Sequence, residues 1–394
     1  MKKPFLLIIT IIFFSFLFSI PKSFAKPDPL PPKVNSEAAI LMEFNSGKVL
    51  YTKNAGKEMY PASLTKIATA IYALETGNLD EMVTVPKEAR SIEGTRVYLD
   101  EGEKVTLKKL LQGLLINSGN DAGVAIAQHL SGSVEQFAAD LNEYLTSEVG
   151  VENTTFANPH GLFNPTHVTT AKDLAKITQY AMKNQIFREL FGTKTLKWDG
   201  DSWDTTLYTH HKLMREDPYE GITGGKTGYV DESGFTLATS AKRNNLSLIV
   251  ITLNSERQSI AYDDTKKLLD YGFDNFKISS LSEFHYGDID KLPRNLYVTH
   301  PVQERLSYEV TNTENLKVSN NAVDVQGISP LINFDNKKDN IKNKSFTPNG
   351  REKEEDDSLL KASLTIIILL LLMVTCFIFY KTKYSKEESF KDSL

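Results

Sequence analysis

Between residues 38 and 53 apolar side chains alternate loosely with polar ones on either side of Asn45-Ser46-Gly47, the pattern of two strands joined by a tight turn. After Pro61 the period lengthens. Ile67, Ile71 and Leu74 recur at helical spacing ahead of Gly77, which predicts a helix over 63–75 with Ser63 in its first turn. A second helix opens at Thr106, presents Leu107, Leu110, Leu111, Leu114 and Leu115 to a core, and breaks at Asn117-Ser118-Gly119. Asn120 or Asp121 is placed to cap the helix that follows, as far as His129. Ser133-x-x-Gln136 and Thr170-x-x-Asp173 have the form of capping boxes and open two more. Alternation returns at 222–226. Segments 235–241 and 246–253 then form a hairpin about Asn244-Asn245, and a helix over 258–273 closes the pattern. Strands near both ends of this region, with helices between, predict an α+β domain over 34–277. Its antiparallel sheet is assembled from N- and C-terminal segments and surrounded by helices.

Beyond that domain the pattern changes twice. Residues 278–332 hold short β-like pieces and are expected to form a small β-rich appendage, and 333–357 is polar and charged, the composition of a flexible tether. Two long apolar runs lie outside all of this. Residues 1–25 begin with Lys2 and Lys3, continue through an apolar stretch and end in Ser23-Phe24-Ala25, the form of a secretory signal peptide. Residues 358–380 supply roughly the 20 apolar positions a transmembrane helix needs. Lysines at 381, 383 and 386 follow that run and acids precede it, so residues 381–394 are expected to be a cytoplasmic tail and the α+β domain to be extracellular, held at the cell membrane.

Composition narrows the chemistry. The single cysteine, Cys376, falls inside the expected span, so the exported part has no disulfide and no thiol nucleophile. A net charge of −5 gives no reason to expect a nucleic-acid partner. The seven histidines lack a His-Glu-x-x-His arrangement, and His210 and His211, being adjacent, should point apart; no metal and no organic cofactor is expected. His160 is expected to shape the 158–162 turn.

Three short motifs stand in a fixed order: Ser63-Leu-Thr-Lys66, Ser118-Gly-Asn120 and Lys226-Thr227-Gly228. On a helix, the i,i+3 spacing of the first stacks an amine beside a hydroxyl, and a serine hydroxyl needs such a partner to accept its proton. Ser19-Ile-Pro-Lys22 and Ser358-Leu-Leu-Lys361 match the same pattern, but one ends the leader and the other borders the expected span.

With these motifs, and with Asn158-Pro-His-Gly-Leu162 and Gly224-Gly-Lys-Thr-Gly-Tyr229, the chain resembles the low-molecular-mass penicillin-binding D-alanyl-D-alanine carboxypeptidases over about 34–276. The resemblance implies a β-lactamase/transpeptidase-like domain and an acyl-enzyme on Ser63, with Lys66 as its proton acceptor. For that role the Lys66 pKa must be lowered by burial or by a nearby cation, and Lys226 is the candidate for that cation. It implies that Ser118 relays a proton to the leaving amine and Asn120 orients substrate. Lys226, Thr227 and Gly228 would line the substrate, and the backbone N–H groups of Ser63 and Tyr229 would hold the oxyanion. The implied substrates are peptidoglycan stem peptides, with β-lactam antibiotics as covalent inhibitors. A D,D-endopeptidase acting on cross-links, or a membrane-tethered binding module with a dead site, would carry the same motifs. The segment Tyr208-Thr-His-His-Lys212 departs from the asparagine-rich stretch common in relatives. No Glu-x-x-Leu-Asn pattern of the penicillin-hydrolysing kind lies between Ser118 and Lys226, so efficient penicillin hydrolysis is not expected.

Overall fold

The structure, a computed structural model, describes residues 30–280, 297–303, 307–310, 316–318 and 344–345. The expected signal peptide, membrane span and cytoplasmic tail lie outside the described residues, as does all but two residues of the expected tether. No helix among the described residues is long and apolar enough to cross a membrane.

The first two strands, β1 (Ala38–Glu43) and β2 (Val49–Lys53), form the hairpin that the alternation predicts, with a bulge between Leu41 and Met42. A 3₁₀ turn (Ala62–Leu64) leads into α1 (Thr65–Thr76). Next come β3 (Met82–Thr84), the short α2 (Lys87–Ser91), β4 (Lys104–Thr106) and α3 (Leu107–Ile116). Four helices follow: α4 (Asn120–Ser131), α5 (Val134–Tyr144), α6 (Ala171–Ala181) and α7 (Gln185–Phe191). A hairpin of β5 (Thr195–Asp199) and β6 (Asp204–Tyr208) precedes the single turn α8 (Lys212–Arg215). Strands β7 (Ile222–Val230), β8 (Gly234–Arg243) and β9 (Leu246–Ser255) then lead to α9 (Gln258–Asn275).

The main sheet has the order β2-β1-β9-β8-β7 and every pairing in it is antiparallel. Strand β1, from the start of the domain, thus lies against β9 from its end. The two-residue period sorts the side chains of β1 between two cores. Ala38, Ile40 and Met42 pack into the large cluster shared with the helices, whereas Ala39 and Leu41 join a smaller one with Leu268 and Leu269 of α9. Helix α1 is buried nearly all round, from Thr65 to Ile71 and at Ala73, as a helix surrounded by others must be. It is the central post on which Lys66 stands.

Caps appear where the sequence places them. The side chains of Thr106, Ser133 and Thr170 accept from the backbone N–H of Lys109, Gln136 and Asp173. The exception is α4, whose N-cap is Gly119 with no side-chain cap; Asn120 and Asp121 are engaged elsewhere.

Strand β10 (Phe276–Ser280) runs across the expected domain boundary and pairs with β11 (Tyr297–Pro301). Thr299 ties this hairpin to the domain. Its hydroxyl meets Ser46 Oγ at 2.7 Å and Glu43 Oε2 at 3.2 Å, and its carbonyl accepts from Lys48 Nζ at 3.0 Å. Strand β12 (Ser307–Val310) pairs with β13 (Leu316–Val318) and with β14 (Lys344–Ser345), the two described residues of the expected tether.

Candidate active site

Ser63 sits in the 3₁₀ turn, half-buried, directly after Ala62, whose φ of +48° is in the left-handed region. Three residues on, the completely buried Lys66 places Nζ 2.7 Å from Ser63 Oγ, 2.7 Å from Asn120 Oδ1 and 2.7 Å from the carbonyl oxygen of His160. Burial holds the Lys66 pKa well below the usual lysine value. The nearby Lys226 lowers it further, and the Asp121 carboxylate opposes both.

Ser118 occupies the break between α3 and α4 with φ +65°, so a motif that reads as an ordinary turn in sequence is a strained one here. Lys226 Nζ donates to Ser118 Oγ at 2.9 Å and to the carbonyl of Thr227 at 2.8 Å. Burial lowers Lys226 to about 7. Ser63, Lys66, Asn120, Ser118 and Lys226 therefore fall into two adjoining hydrogen-bonded groups built around two lysines.

Asn120 and Asp121, the expected caps, instead clamp the 93–99 segment. Asn120 Nδ2 donates to the Glu93 carbonyl and its backbone N–H donates to the Thr95 carbonyl, both at 2.7 Å. Buried Asp121 accepts from the N–H groups of Val97 and Leu99. Burial raises the pKa of Asp121 while these backbone donors hold it down. Asp121 holds the backbone beside the site and is absent from the motif scheme. Its only sequence signal is its place next to Asn120.

Strand β7 forms the other wall and is the outermost strand of the sheet. Its Thr227 is half-buried, and Tyr229 is 52% exposed, with its hydroxyl donating to Asp231 Oδ1. At Gly228 the backbone comes so close to the nucleophile turn that a Cβ would stand 2.8 Å from Ser63 N and 2.4 Å from Thr236 Oγ1. Only glycine allows that approach. The 158–162 turn is the floor. Asn158 Oδ1 accepts from the N–H groups of His160 and Gly161, Asn158 Nδ2 donates to the Leu162 carbonyl, and His160 Nδ1 accepts from Leu162 N–H.

The histidines take structural posts. Burial lowers His160, His167 and His211 to about 3, so each is a neutral ring. His211 lies under Gly225 and meets Thr239 Oγ1 at 2.8 Å, whereas His210 is solvent-exposed, so the adjacent pair does point apart. Among the described residues no group of three or more His, Cys, Asp or Glu side chains is arranged to hold a metal ion.

This arrangement, a serine hydroxyl beside a buried, easily deprotonated lysine with a second hydroxyl–lysine pair alongside, suits acyl transfer. Comparison with known proteins points the same way. The family described as Peptidase_S11, D-alanyl-D-alanine carboxypeptidase, matches residues 25–257. The D-alanyl-D-alanine carboxypeptidase DacF of Bacillus subtilis is 33% identical over 273 residues, which is 66% of this chain and 69% of that one. DacC of Escherichia coli is 33% identical over 67% of this chain and 68% of its own. Penicillin-binding protein 5 of Haemophilus influenzae superposes with a TM-score of 0.66 at 26% identity, covering 75% of this chain and 96% of that one. Penicillin-binding protein 6B of Escherichia coli gives 0.65 at 25% identity, covering 75% and 94%. With its α+β architecture, its antiparallel sheet and this match over most of the folded region, the chain belongs to the D-alanyl-D-alanine carboxypeptidase family of serine peptidases.

Proposed function

We propose that Ser63 is the nucleophile of this serine carboxypeptidase, that Lys66 is its general base, and that the substrate is the D-alanyl-D-alanine end of a peptidoglycan stem peptide. The observation that carries the reading is the environment of Lys66 Nζ. Two of its three neighbours, Asn120 Oδ1 and the His160 carbonyl oxygen, can only accept hydrogen bonds. A neutral amine spends its two N–H bonds on them and turns its lone pair toward Ser63 Oγ, 2.7 Å away. The Ser63 proton then passes to Lys66 as Oγ attacks the carbonyl between the two D-alanines.

The N–H groups of Ser63 and Tyr229 receive the negative charge on the substrate oxygen. As the intermediate collapses, the proton taken up by Lys66 passes through the Ser118 hydroxyl to the leaving amine, so Lys66 is neutral again for the second step while Lys226, 2.9 Å from Ser118 Oγ, keeps its charge. Asn120 orients the substrate amide, and Lys226 with Thr227 receives the terminal carboxylate. Water hydrolyses the ester in a second round of the same proton transfers. The open outer edge of β7 suits a substrate lying along it as an added strand. A β-lactam would acylate Ser63 in the same way.

For location, the leader at residues 1–25 and the apolar run at 358–380 support an exported enzyme held at the cell membrane with its catalytic domain outside. The test is mass spectrometry of pentapeptide-bearing muropeptides after incubation. Loss of one alanine is expected with the native protein and no change with Ser63→Ala. Cleavage of cross-linked dimers in its place would make the enzyme an endopeptidase.

A further inference from the structure

The backbone just ahead of the nucleophile is held by side chains to which the motifs assign no chemical role. Ala62, buried and left-handed, precedes Ser63 in a conformation that a Cβ-bearing residue adopts only when its surroundings impose it. Its carbonyl oxygen accepts from Thr65 Oγ1 at 2.8 Å. Thr65 Oγ1 meets His167 Nε2 at 2.7 Å, and His167 Nδ1 accepts from the backbone N–H of Ala157 at 2.9 Å.

These contacts can run in one direction only. A backbone N–H cannot accept, so His167 Nδ1 carries the lone pair and Nε2 carries the proton. Nε2–H therefore donates to Thr65, whose single hydroxyl proton goes to Ala62. Ala62, Thr65 and His167 are buried, and Phe156 stacks on the His167 ring with centroids 5.0 Å apart, which restrains the ring. Burial also keeps the ring neutral; a second ring proton would face the Ala157 N–H and break the chain. On its other side the turn is equally confined. Thr236 Oγ1 donates to the Pro61 carbonyl at 3.0 Å, and Gly161 passes so close that a Cβ there would stand 1.9 Å from the Ala62 oxygen.

We infer that Thr65 and His167 are positioning residues for the reaction: a one-way hydrogen-bond chain from Ala157 through His167 and Thr65 to the Ala62 carbonyl fixes the strained turn that aims Ser63 Oγ at Lys66 Nζ. The inference rests on Ser63 being the nucleophile. Neither residue touches substrate. Their effect is on how often the hydroxyl lies within reach of its base, so it belongs to the acylation step and not to noncovalent affinity.

The test uses the full-length protein and saturation kinetics of labelling by a fluorescent penicillin, which separates the noncovalent dissociation constant from the acylation rate constant. Thr65→Val removes the hydroxyl at nearly constant shape, Thr65→Ala removes it without any possible clash, and Thr65→Ser keeps it. The acylation rate constant should fall by about 10- to 100-fold in the valine and alanine variants. The dissociation constant should stay near its native value, the melting temperature should fall by a few degrees because the buried His167 N–H and Ala62 carbonyl lose a partner, and serine should restore the rate to within a few-fold. If valine prevents folding, alanine decides.

Native acylation rates in the hydroxyl-free variants would overturn the inference. So would a serine variant as slow as alanine, or a loss confined to the dissociation constant. Ser63→Ala is measured in parallel. Labelling of that variant would defeat the nucleophile assignment itself, whereas an unlabelled Ser63→Ala beside a fast Thr65→Ala defeats only the positioning chain.

Discussion

The two buried lysines of the site have opposite requirements. In the proposed mechanism Lys66 serves as a base only when neutral, and Lys226 receives a carboxylate only when charged. With Lys66 pushed well below its ordinary value and Lys226 lowered to about 7, kcat/KM for carboxypeptidase activity should be bell-shaped in pH. The acid limb rises as Lys66 loses its proton, and the alkaline limb falls above about 7 as Lys226 loses its own. The two titrations are coupled, so each limb belongs to the pair. Lys226→Gln removes the cation that disfavours Lys66-H⁺ and should move the acid limb of β-lactam acylation to higher pH; a limb that stays in place would show that burial alone sets Lys66. Lys66→Arg keeps a charge that cannot be shed near neutral pH and should reduce acylation by at least about 10³-fold, measured by labelling. At this scale the motif residues were legible because their chemistry depends on type and spacing. Asp121 was not. Its partners are backbone N–H groups 22 and 24 positions back, and a backbone partner leaves no mark on the sequence.

At the scale of elements, the site is a meeting of one helix start, one helix–helix break and one strand, and the approach distances between them are set by small residues. Gly228→Ala would push β7 away from Ser63 N and Thr236 Oγ1. Acylation should drop by about 10²-fold with the protein still folded, the cost expected for a displacement near 1 Å; stopped labelling kinetics beside a melting curve would check both halves. Asp121→Ala frees the 93–99 segment and leaves buried N–H groups unpaired. Stability should fall by about 2–4 kcal/mol in urea titration, with slower acylation as Asn120 loses its anchored partners. Helix starts with a Ser or Thr cap were readable in advance because the cap and its N–H partner lie three residues apart. The β3–β4 and β5–β6 pairs were not, since strands of three to five residues with mixed exposure carry too few alternations to distinguish them from loop. Helix α7, at seven residues, is likewise too short to establish a helical period.

For the whole molecule, the assembly of the sheet from both ends of the domain, with helices between, followed from where the alternating and helical patterns lie along the chain. The appendage boundary did not, because β10 continues directly from α9 and is joined to the domain through Thr299 and the buried Glu43. That joint has a consequence for truncation. A fragment of residues 26–332 should be soluble and bind penicillin, whereas one ending at Asn275 strips Thr299 from Glu43 and should melt several degrees lower in a thermal scan. On wall-stripped cells, external protease should release a penicillin-binding fragment by cutting within 333–357. Retention of that fragment at the membrane would place a second attachment in the domain itself.

The neighbouring of β1 and β9 also dictates a timetable. A chain exported from its N-terminus delivers Ser63 and Lys66 early, yet β1 has no central partner until residues 246–255 have emerged, and Lys226 reaches Ser118 only with them. Such distant pairing makes assembly slow and late. On the export proposed from the leader at residues 1–25, the polypeptide crosses the membrane as an inert thread, and its reactivity toward acyl donors arises in one step at the end. In refolding from urea, the capacity to be labelled by penicillin should appear with the slowest phase, after most of the helical signal has returned.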